Sequence, residues 1–412
     1  MSTKLQPWLI WLTATSFVFF QFLLQTSTSV MIPAFMQDFH INALQVGILS
    51  SSYFYSYLTM QLPSAMLVDR FGARLVLSSG IIICAIACWL FAHADNFYTA
   101  QISRILMGLG SSPVISATFA LVARWFPSAR FALIIGLTDT LGMTGGIAGQ
   151  AYLAHWVKDI GWRHTMSGCF IMAIIITLLI SLIVRDKIQP ISAAEVVNNP
   201  LKKLGNIIRS PQIWLNGIYV AFVWGVAIGF TGLWSVPFLQ TQYQLPLTLA
   251  ASASSMVFAG IAVATPIIGW LADISLKSRR ILMFACTAVG LATLSMALYV
   301  PHLSLPLLFT LLFLFGGSTG SYIISFAIVR ERTSAESRAT AMGFTNMMSI
   351  AIGSPILQPL IGYLLIDKAN SHFTAAVTHF TAGNFKLAFI ILPIGLAIAL
   401  MSLGFIKLQR LS

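Results

Sequence analysis

The sequence predicts an all-α integral membrane protein with twelve transmembrane helices in two six-helix, pseudo-symmetric halves. Three observations predict this fold class. Of the 412 residues, 58% are hydrophobic and 8% are charged, whereas an average soluble domain has roughly 25% charged residues. The apolar residues form twelve runs, each close to or above the ~20 residues that a helix needs to cross the hydrocarbon core. The second half of the chain also repeats sequence patterns of the first.

The apolar runs follow one another along nearly the whole chain. Their bounds are residues 10–36, 44–68, 75–92, 98–123, 131–157, 165–184, 213–239, 248–272, 281–300, 305–329, 339–366 and 387–406. The first run reaches residue 36 without a small-residue cleavage site, so it is interpreted as the first helix and not as a signal peptide. The four cysteines lie inside the runs with no histidine beside them, which predicts free thiols and no metal site.

One long polar connection, residues 185–210, divides the chain into halves at 1–184 and 211–412. It contains two prolines and five basic residues. Between residues 201 and 209, apolar side chains lie at helical spacing opposite Lys202 and Lys203, which is consistent with a short helix on an anionic membrane surface. A plain linker remains an equal alternative.

The basic residues follow the parity of the loops. Of the 23 lysines and arginines, 18 lie at the termini or in loops on one side, and four lie in loops on the other side: Lys158, Arg163, Lys368 and Lys386. Because cytoplasmic loops carry the excess of basic residues, both termini are expected in the cytoplasm, with the protein in the inner membrane. The net charge of +12 is then a topology signal and does not indicate nucleic acid.

A charged motif stands between the second and third runs. Residues 63–74 read Pro-Ser-Ala-Met-Leu-Val-Asp-Arg-Phe-Gly-Ala-Arg. This stretch resembles the signature loop of the major facilitator superfamily, G-x-L-A-D-R-x-G-R-[RK], with alanine at the first glycine and at the first terminal basic position. The second half echoes it at Gly269-Trp-Leu-Ala-Asp273, followed by Arg279 and Arg280.

The resemblance implies two parallel six-helix repeats with a solute site between them at mid-membrane. It implies a transporter that works by alternating access, with no enzymatic activity. The residues that it implies for conformational gating are Asp69, Arg70, Gly72, Arg74, Asp273 and Arg338. In the family, the aspartate of this motif pairs with the start of helix 11. Asp69 is therefore expected to meet residues 334–338, and Asp273 to meet residues 126–130.

Two charged residues lie at membrane depth, Arg104 and Asp139, where a charge is costly unless it has a function. Arg104 begins an Arg-x-x-x-Gly-x-Gly pattern similar to the helix 4 motif of the superfamily. Its guanidinium can hold a carboxylate of the solute. Asp139 can bind and release a proton, because burial disfavours its charge while a nearby arginine favours it. The axial gap between them is about 8 Å on ideal helix geometry, so an ion pair with a purely structural role is the alternative.

Polar and aromatic side chains within the runs are the other candidates for solute binding, because polar faces of membrane helices turn inward. These candidates are Gln21, Gln25, Tyr53, Tyr57, Asn216, Trp224, Tyr322 and Asn346. Glycines at 142, 145, 146 and 149 are expected to let the fifth helix pack closely against another helix. The sequence contains no H-E-x-x-H and no Walker A pattern, which argues against a zinc hydrolase and against ATP-driven transport.

The function expected from these features is proton-coupled import of a small carboxylate-bearing solute by a monomer, with the proton gradient as energy source and no cofactor. Residues 61–70 look like the anion:cation symporters of the superfamily and the related nutrient transporters of intracellular bacteria. Export of drugs or siderophores is the alternative, although no proline occurs between Pro127 and Pro190, so the Gly-Pro pair of superfamily antiporters is missing. A membrane sensor is disfavoured because the chain has no soluble signalling domain.

Overall fold

The computed structural model describes residues 5–127, 130–186, 209–274, 276–333, 338–366 and 380–406. Within these residues, the first half contains eight α-helices: α1 Gln6–Thr26, α2 Ile32–Asp38, α3 Ala43–Phe71, α4 Ala73–Ala92, α5 Phe97–Ser111, α6 Val114–Trp125, α7 Phe131–Ile147 and α8 Leu153–Ile183. The described second half contains ten: α9 Pro211–Gly229, α10 Ser235–Tyr243, α11 Leu247–Ile274, α12 Leu276–Tyr299, α13 Leu305–Thr319, α14 Tyr322–Arg332, α15 Arg338–Ala351, α16 Gln358–Leu365, α17 Ala382–Ala388 and α18 Ile391–Phe405.

The described part of the chain has ten helical segments long and apolar enough to cross a membrane. One of them, residues 134–183, is bent at Gly161, where φ is +79°. The all-helical membrane fold is therefore confirmed. The finer division into twelve spans and two six-helix halves stays a prediction, and the surface helix expected within 201–209 falls mostly outside the described residues.

Several membrane helices contain a local change of helix type. A 3₁₀ turn, Ser27–Val30, follows α1, and π-helical turns at Ala148–Tyr152, Phe230–Trp234 and Gly353–Leu357 follow α7, α9 and α15. Such changes alter the backbone hydrogen-bond register, and π-turns are frequent at functional sites. They leave carbonyl groups available to side chains of neighbouring helices.

Close helix packing depends on the small residues of the fifth apolar run. A Cβ atom at Gly145 would overlap the Phe19 carbonyl oxygen, and one at Gly149 would lie 2.6 Å from the Leu23 carbonyl oxygen. Both carbonyls belong to α1. The prediction that small residues bring the fifth membrane helix against another helix is confirmed, because any larger residue would force α1 and α7 apart.

The bundle has two distinct ends. One carries Arg74, Arg124, Arg279 and Arg280, and we call it the basic end; the opposite end carries the start of α3. Three hydrogen bonds join the two halves in the part of the bundle nearer the opposite end: Ser51 Oγ to Ser354 O at 2.5 Å, Tyr55 Oη to Pro355 O at 2.8 Å and Gln150 Nε2 to Thr231 O at 2.5 Å. Among the described residues, the halves are therefore held together at the opposite end of the bundle.

Candidate functional site

Arg104 is buried in the first half, with only 1% of its surface exposed. It is the eighth residue of α5, which places it about 10 Å from the start of that helix. Its Nη1 donates to Leu24 O at 2.9 Å and its Nη2 to Ser50 O at 3.4 Å. Leu24 lies just before the change to 3₁₀ geometry at Ser27. Arg104 therefore ties α5 to the last turn of α1 and to the eighth residue of α3.

Two buried donors in the cluster of Arg104 and Tyr53 have no hydrogen-bond partner: Arg104 Nε and Tyr53 Oη. A third buried atom, Gln21 Oε1, has none either, and it lies beside Tyr57. The guanidinium carbon of Arg104 lies 5.0 Å from the centre of the Tyr53 ring, and the side chains of Ser111 and Gln25 lie near the Tyr53 hydroxyl. Buried polar groups without partners are uncommon and call for an explanation. Two of the three atoms carry a hydrogen that an anionic group could accept.

Tyr57 connects this cluster to Asp139. Its ring stacks on Tyr53, with 6.1 Å between the ring centres and 14° between the planes. The Gln21 side chain is close to its hydroxyl, and Asp139 is near enough to interact with it electrostatically. Four predicted binding residues, Gln21, Gln25, Tyr53 and Tyr57, are therefore brought together with Arg104.

Asp139 meets the second half of the chain. The Tyr322 hydroxyl donates to Asp139 Oδ2 at 3.3 Å, and the Tyr322 ring packs on Trp224 with 4.5 Å between the ring centres. Asp139 is about 12 Å and Tyr322 about 15 Å from the basic end of its helix. The contact thus lies near mid-membrane, on the basic side of the hydrogen bonds that join the halves at the opposite end.

Two predicted binding residues lie apart from these contacts. Asn216 is fully buried and donates to Ser325 O at 3.2 Å, so it joins α9 to α14. Asn346 is half-buried on α15, and its side chain has no hydrogen bond to a described residue. Asn216 therefore holds two helices together, whereas the Asn346 side chain has no hydrogen-bond partner among the described residues.

Arg104 and Asp139 do not form an ion pair in the described part of the chain. On ideal helix geometry, the axial gap between them is about 8 Å, which a long arginine side chain can nearly close. The guanidinium instead donates to the carbonyl oxygens of Leu24, in the last turn of α1, and Ser50, inside α3. Asp139 is left with a neutral partner, Tyr322.

The predicted gating motif forms a tighter turn than the sequence indicated. Helix α3 continues to Phe71 and α4 begins at Ala73, so Gly72 alone makes the connection, with φ +85° and ψ 158°. A Cβ atom there would lie 2.5 Å from Asp186 Oδ2. Arg70 lies over the Phe71 ring, 5.1 Å from its centre.

Asp186 organises the first half of the basic end. Its carboxylate accepts hydrogen bonds from the backbone nitrogens of Ala73 at 3.0 Å and Arg74 at 3.2 Å. Arg124 lies 3.6 Å from the same carboxylate, and Arg74 Nη2 donates to Ser181 O at 2.5 Å. A carboxylate at the first turn of α4 satisfies free N–H groups and favours the helix dipole.

The second half has its own ion pair at this end. Arg279 Nη1 lies 2.8 Å from Glu331 Oε2, and Arg279 Nε donates to Ala272 O at 2.9 Å. The side chains of the predicted gating residues Asp69, Asp273 and Arg338 are outside the described part of the structure. Their expected contacts therefore stay predictions.

Three residues of these contacts were not predicted from the sequence: Asp186, Glu331 and Gln150. Asp186 lies between Arg185 and Lys187, so a count of basic residues per loop hides it. An acidic residue directly after the last helix of a half was the available signal. For Gln150, a buried amide facing a backbone carbonyl of the other half, no local signal exists. Among the described residues, no group of three His, Cys, Asp or Glu could hold a metal ion.

Residues 14–357 match the sequence profile of the Major Facilitator Superfamily. The chain belongs to that superfamily. The resemblance of residues 63–74 to its signature loop is thereby confirmed, as is the expectation that the protein is a transporter and not an enzyme.

Two relatives and one solved structure extend this result. An uncharacterized transporter of Bacillus subtilis (strain 168), YybO, is 29% identical over 276 residues, which are 61% of this chain and 62% of the relative. A probable L-galactonate transporter of Escherichia coli (strain K12) is 24% identical over 397 residues, 89% of this chain and 85% of the relative. The match thus spans less than two thirds of YybO.

The solved structure supports the fold of this superfamily member. It is a bacterial homologue of the human lysosomal transporter Spinster, crystallised in an inward-facing and occupied conformation. The TM-score is 0.79 at 17% sequence identity, covering 98% of this chain and 97% of the other. At this identity, the comparison bears on the fold alone.

Proposed function

We propose that the chain is a proton-coupled symporter that imports a small carboxylate-bearing organic solute across the bacterial inner membrane by alternating access. It works as a monomer with both termini in the cytoplasm, draws on the proton gradient and needs no cofactor. The solute is an organic acid, an amino acid or a short peptide. The observation that carries the proposal is the buried Arg104, which has hydrogen bonds to carbonyls but no carboxylate as counter-ion within the described residues.

A buried guanidinium without a counter-ion favours an anionic ligand. Removing a charge from water costs several kcal/mol by general estimates, unless an opposite charge compensates it. Arg104 Nε and Tyr53 Oη are unpaired donors on the same cluster, and a carboxylate accepts two hydrogen bonds of this kind. We infer that the solute carboxylate takes this place. The similarity to a probable L-galactonate transporter supports an organic acid.

Asp139 supplies the coupling in this proposal. An ionised Asp139 without a cationic partner repels an anionic solute that enters beside Tyr57, whereas a protonated Asp139 does not. One proton therefore accompanies each anion. The hydrogen bond from Tyr322 crosses between the halves, so the protonation state of Asp139 also bears on how the halves approach each other.

Aromatic side chains favour a second candidate, export of drugs or siderophores. Tyr53, Tyr57, Trp224 and Tyr322 pack on one another in two pairs, and such surfaces suit large amphipathic ligands. Import of a carboxylate is the better-supported proposal because a neutral or cationic drug would leave the charge of Arg104 uncompensated.

Uptake into proteoliposomes under an imposed pH gradient tests the proposal. The purified chain is reconstituted, and radiolabelled sugar acids, amino acids, dipeptides and cationic dyes are offered one class at a time. Accumulation of a carboxylate against its gradient, abolished by a protonophore, supports symport. Accumulation of dyes by an acid-inside gradient, with no carboxylate uptake, would establish export instead.

A further inference from the structure

A groove on the outer surface of the second half lies between α12 and α18. It has a volume of about 530 Å³, and its walls include Phe284 of α12 and Met401 and Gly404 of α18. Phe284 is 57% and Met401 62% exposed. Both helices belong to candidate membrane spans, so these apolar walls face lipid and not water.

Arg280 stands at the rim of the groove at the basic end. Its Nη2 is shared among three carbonyl oxygens at the end of α18, those of Leu403 at 3.2 Å, Gly404 at 3.4 Å and Ile406 at 3.3 Å. These bonds fix the plane of the guanidinium across the end of α18. Its Nε and Nη1 have no partner among the described residues, and the side chain forms no ion pair there.

The groove and Arg280 together match the headgroup and the first part of an acyl chain of one lipid molecule in size. Arg280 is the fifth residue of α12, so it lies at the boundary of the membrane. The groove continues from it to Ala285, about 8 Å deeper along the helix. A cation at headgroup level above an apolar groove matches a phosphate above an acyl chain. A zwitterionic phospholipid also carries a phosphate, but its ammonium group cancels the net charge, so a lipid with a net negative charge is favoured beside an arginine that has no ion pair among the described residues. A second copy of the chain would use the apolar walls but not the free donors of Arg280.

We propose that this groove binds one anionic phospholipid. Its phosphate accepts hydrogen bonds from Nε and Nη1 of Arg280, and the first part of one acyl chain lies between Phe284 and Met401. The site is separate from the solute site, and its existence does not depend on the direction or coupling of transport.

Native mass spectrometry of the purified full chain tests the charge. The protein is exchanged into micelles with equal amounts of phosphatidylglycerol and phosphatidylethanolamine. Wild type is expected to retain one phosphatidylglycerol in preference to phosphatidylethanolamine. Arg280→Gln should lower phosphatidylglycerol retention by about tenfold, since it removes charge-assisted hydrogen bonds. Arg130→Gln, at an exposed arginine of the first half, makes the same charge change and should have no effect.

A second variant tests the groove without touching Arg280. A Cβ atom at Gly404 would meet no atom within 4 Å, so Gly404→Leu fills the groove and should abolish retention of either lipid. Gly168→Leu, at an ordinary contact distance from Trp156, is the matched control. The proposal is overturned by wild-type retention in Gly404→Leu, by equal retention of both lipids in wild type, or by a chain dimer that this variant dissociates.

Discussion

Tyr322 donates a hydrogen bond to Asp139 across 3.3 Å, joining helices from opposite halves of the chain. Nearer the opposite end, the halves meet through backbone acceptors, such as Ser354 O and Pro355 O. The contact at Asp139 differs because its acceptor can take up a proton. A hydrogen bond to a carboxylate is about twice as strong as one to a neutral acceptor, so protonation weakens the link between the halves.

Asp139→Asn removes the titrating group and keeps the size of the side chain. We expect loss of accumulation driven by a pH gradient, while exchange of labelled for unlabelled solute continues. The two rates are measured in the same proteoliposomes. Thr140→Val, at the next position of α7, serves as a matched control and should keep both. Unchanged accumulation in Asp139→Asn would place the coupling carboxylate elsewhere.

Tyr322→Phe deletes the hydroxyl and keeps the ring on Trp224. The loss of one hydrogen bond to a carboxylate, about 1.5–3 kcal/mol, should widen the basic end. Spin labels at Ala123 and Thr333 report this as a longer distance distribution. Tyr55→Phe deletes a hydroxyl that bonds Pro355 O near the opposite end. It should not lengthen the distance between the labels. Equal lengthening in both variants would show that widening of the basic end does not depend on the bond between Tyr322 and Asp139.

The fold was predictable from the sequence because its determinants are local. A run of about 20 apolar residues identifies a span, and glycines such as Gly145 and Gly149 mark where α1 can approach. The partners of Arg104 were not predictable, because backbone carbonyls such as Leu24 O carry no sequence signal. Which carbonyl oxygens meet the guanidinium depends on how α1, α3 and α5 pack, and residue type does not mark those positions.

The candidate site was predictable in part. Six of its members, Gln21, Gln25, Tyr53, Tyr57, Trp224 and Tyr322, were recognisable as polar or aromatic side chains inside apolar runs. Which of these side chains contact one another was not predictable, because it depends on how helices that are far apart in the chain cross. Asp139 and Tyr322 are 183 positions apart, and helical periodicity gives no distance between such residues.

Arg104→Lys keeps the charge but loses the planar fork of donors. We expect the affinity for a carboxylate solute to fall about tenfold, the equivalent of ~1.4 kcal/mol. An amide or ester analogue of the solute should lose much less, and competition binding measures both. Arg163→Lys is the matched control, since Arg163 lies 3.4 Å from Asp38 near the opposite end. Equal losses for acid and neutral analogue would indicate a packing role for Arg104.

The distribution of basic residues predicts both termini in the cytoplasm. Single cysteines in a cysteine-free background are labelled in intact cells with a membrane-impermeant maleimide. A cysteine at Lys158 should react from outside, and one at Lys203 only after the cells are opened. Reaction at Lys203 in intact cells would reverse the topology, and the basic end would then face outward.

Gly72→Ala tests the turn between α3 and α4. The backbone at Gly72, φ +85° and ψ 158°, lies in a region that is essentially restricted to glycine, and other residues there cost about 1–3 kcal/mol. The added methyl group would also press on the Asp186 carboxylate, which caps the first turn of α4. We therefore expect a lower melting temperature in detergent.

Gly136→Ala supplies the comparison for that substitution. Gly136 lies inside α7, and a methyl group added there would meet no atom within 4 Å. Alanine is favoured over glycine in a helix by roughly 0.5–1 kcal/mol, so this variant should keep or raise the melting temperature.

Asp186→Asn separates the backbone conformation at Gly72 from the loss of the carboxylate cap: it removes the charge from the cap and keeps glycine at position 72. If Gly72→Ala destabilises and Asp186→Asn does not, the backbone conformation dominates. If Gly72→Ala and Asp186→Asn both melt like wild type, this turn contributes nothing to stability.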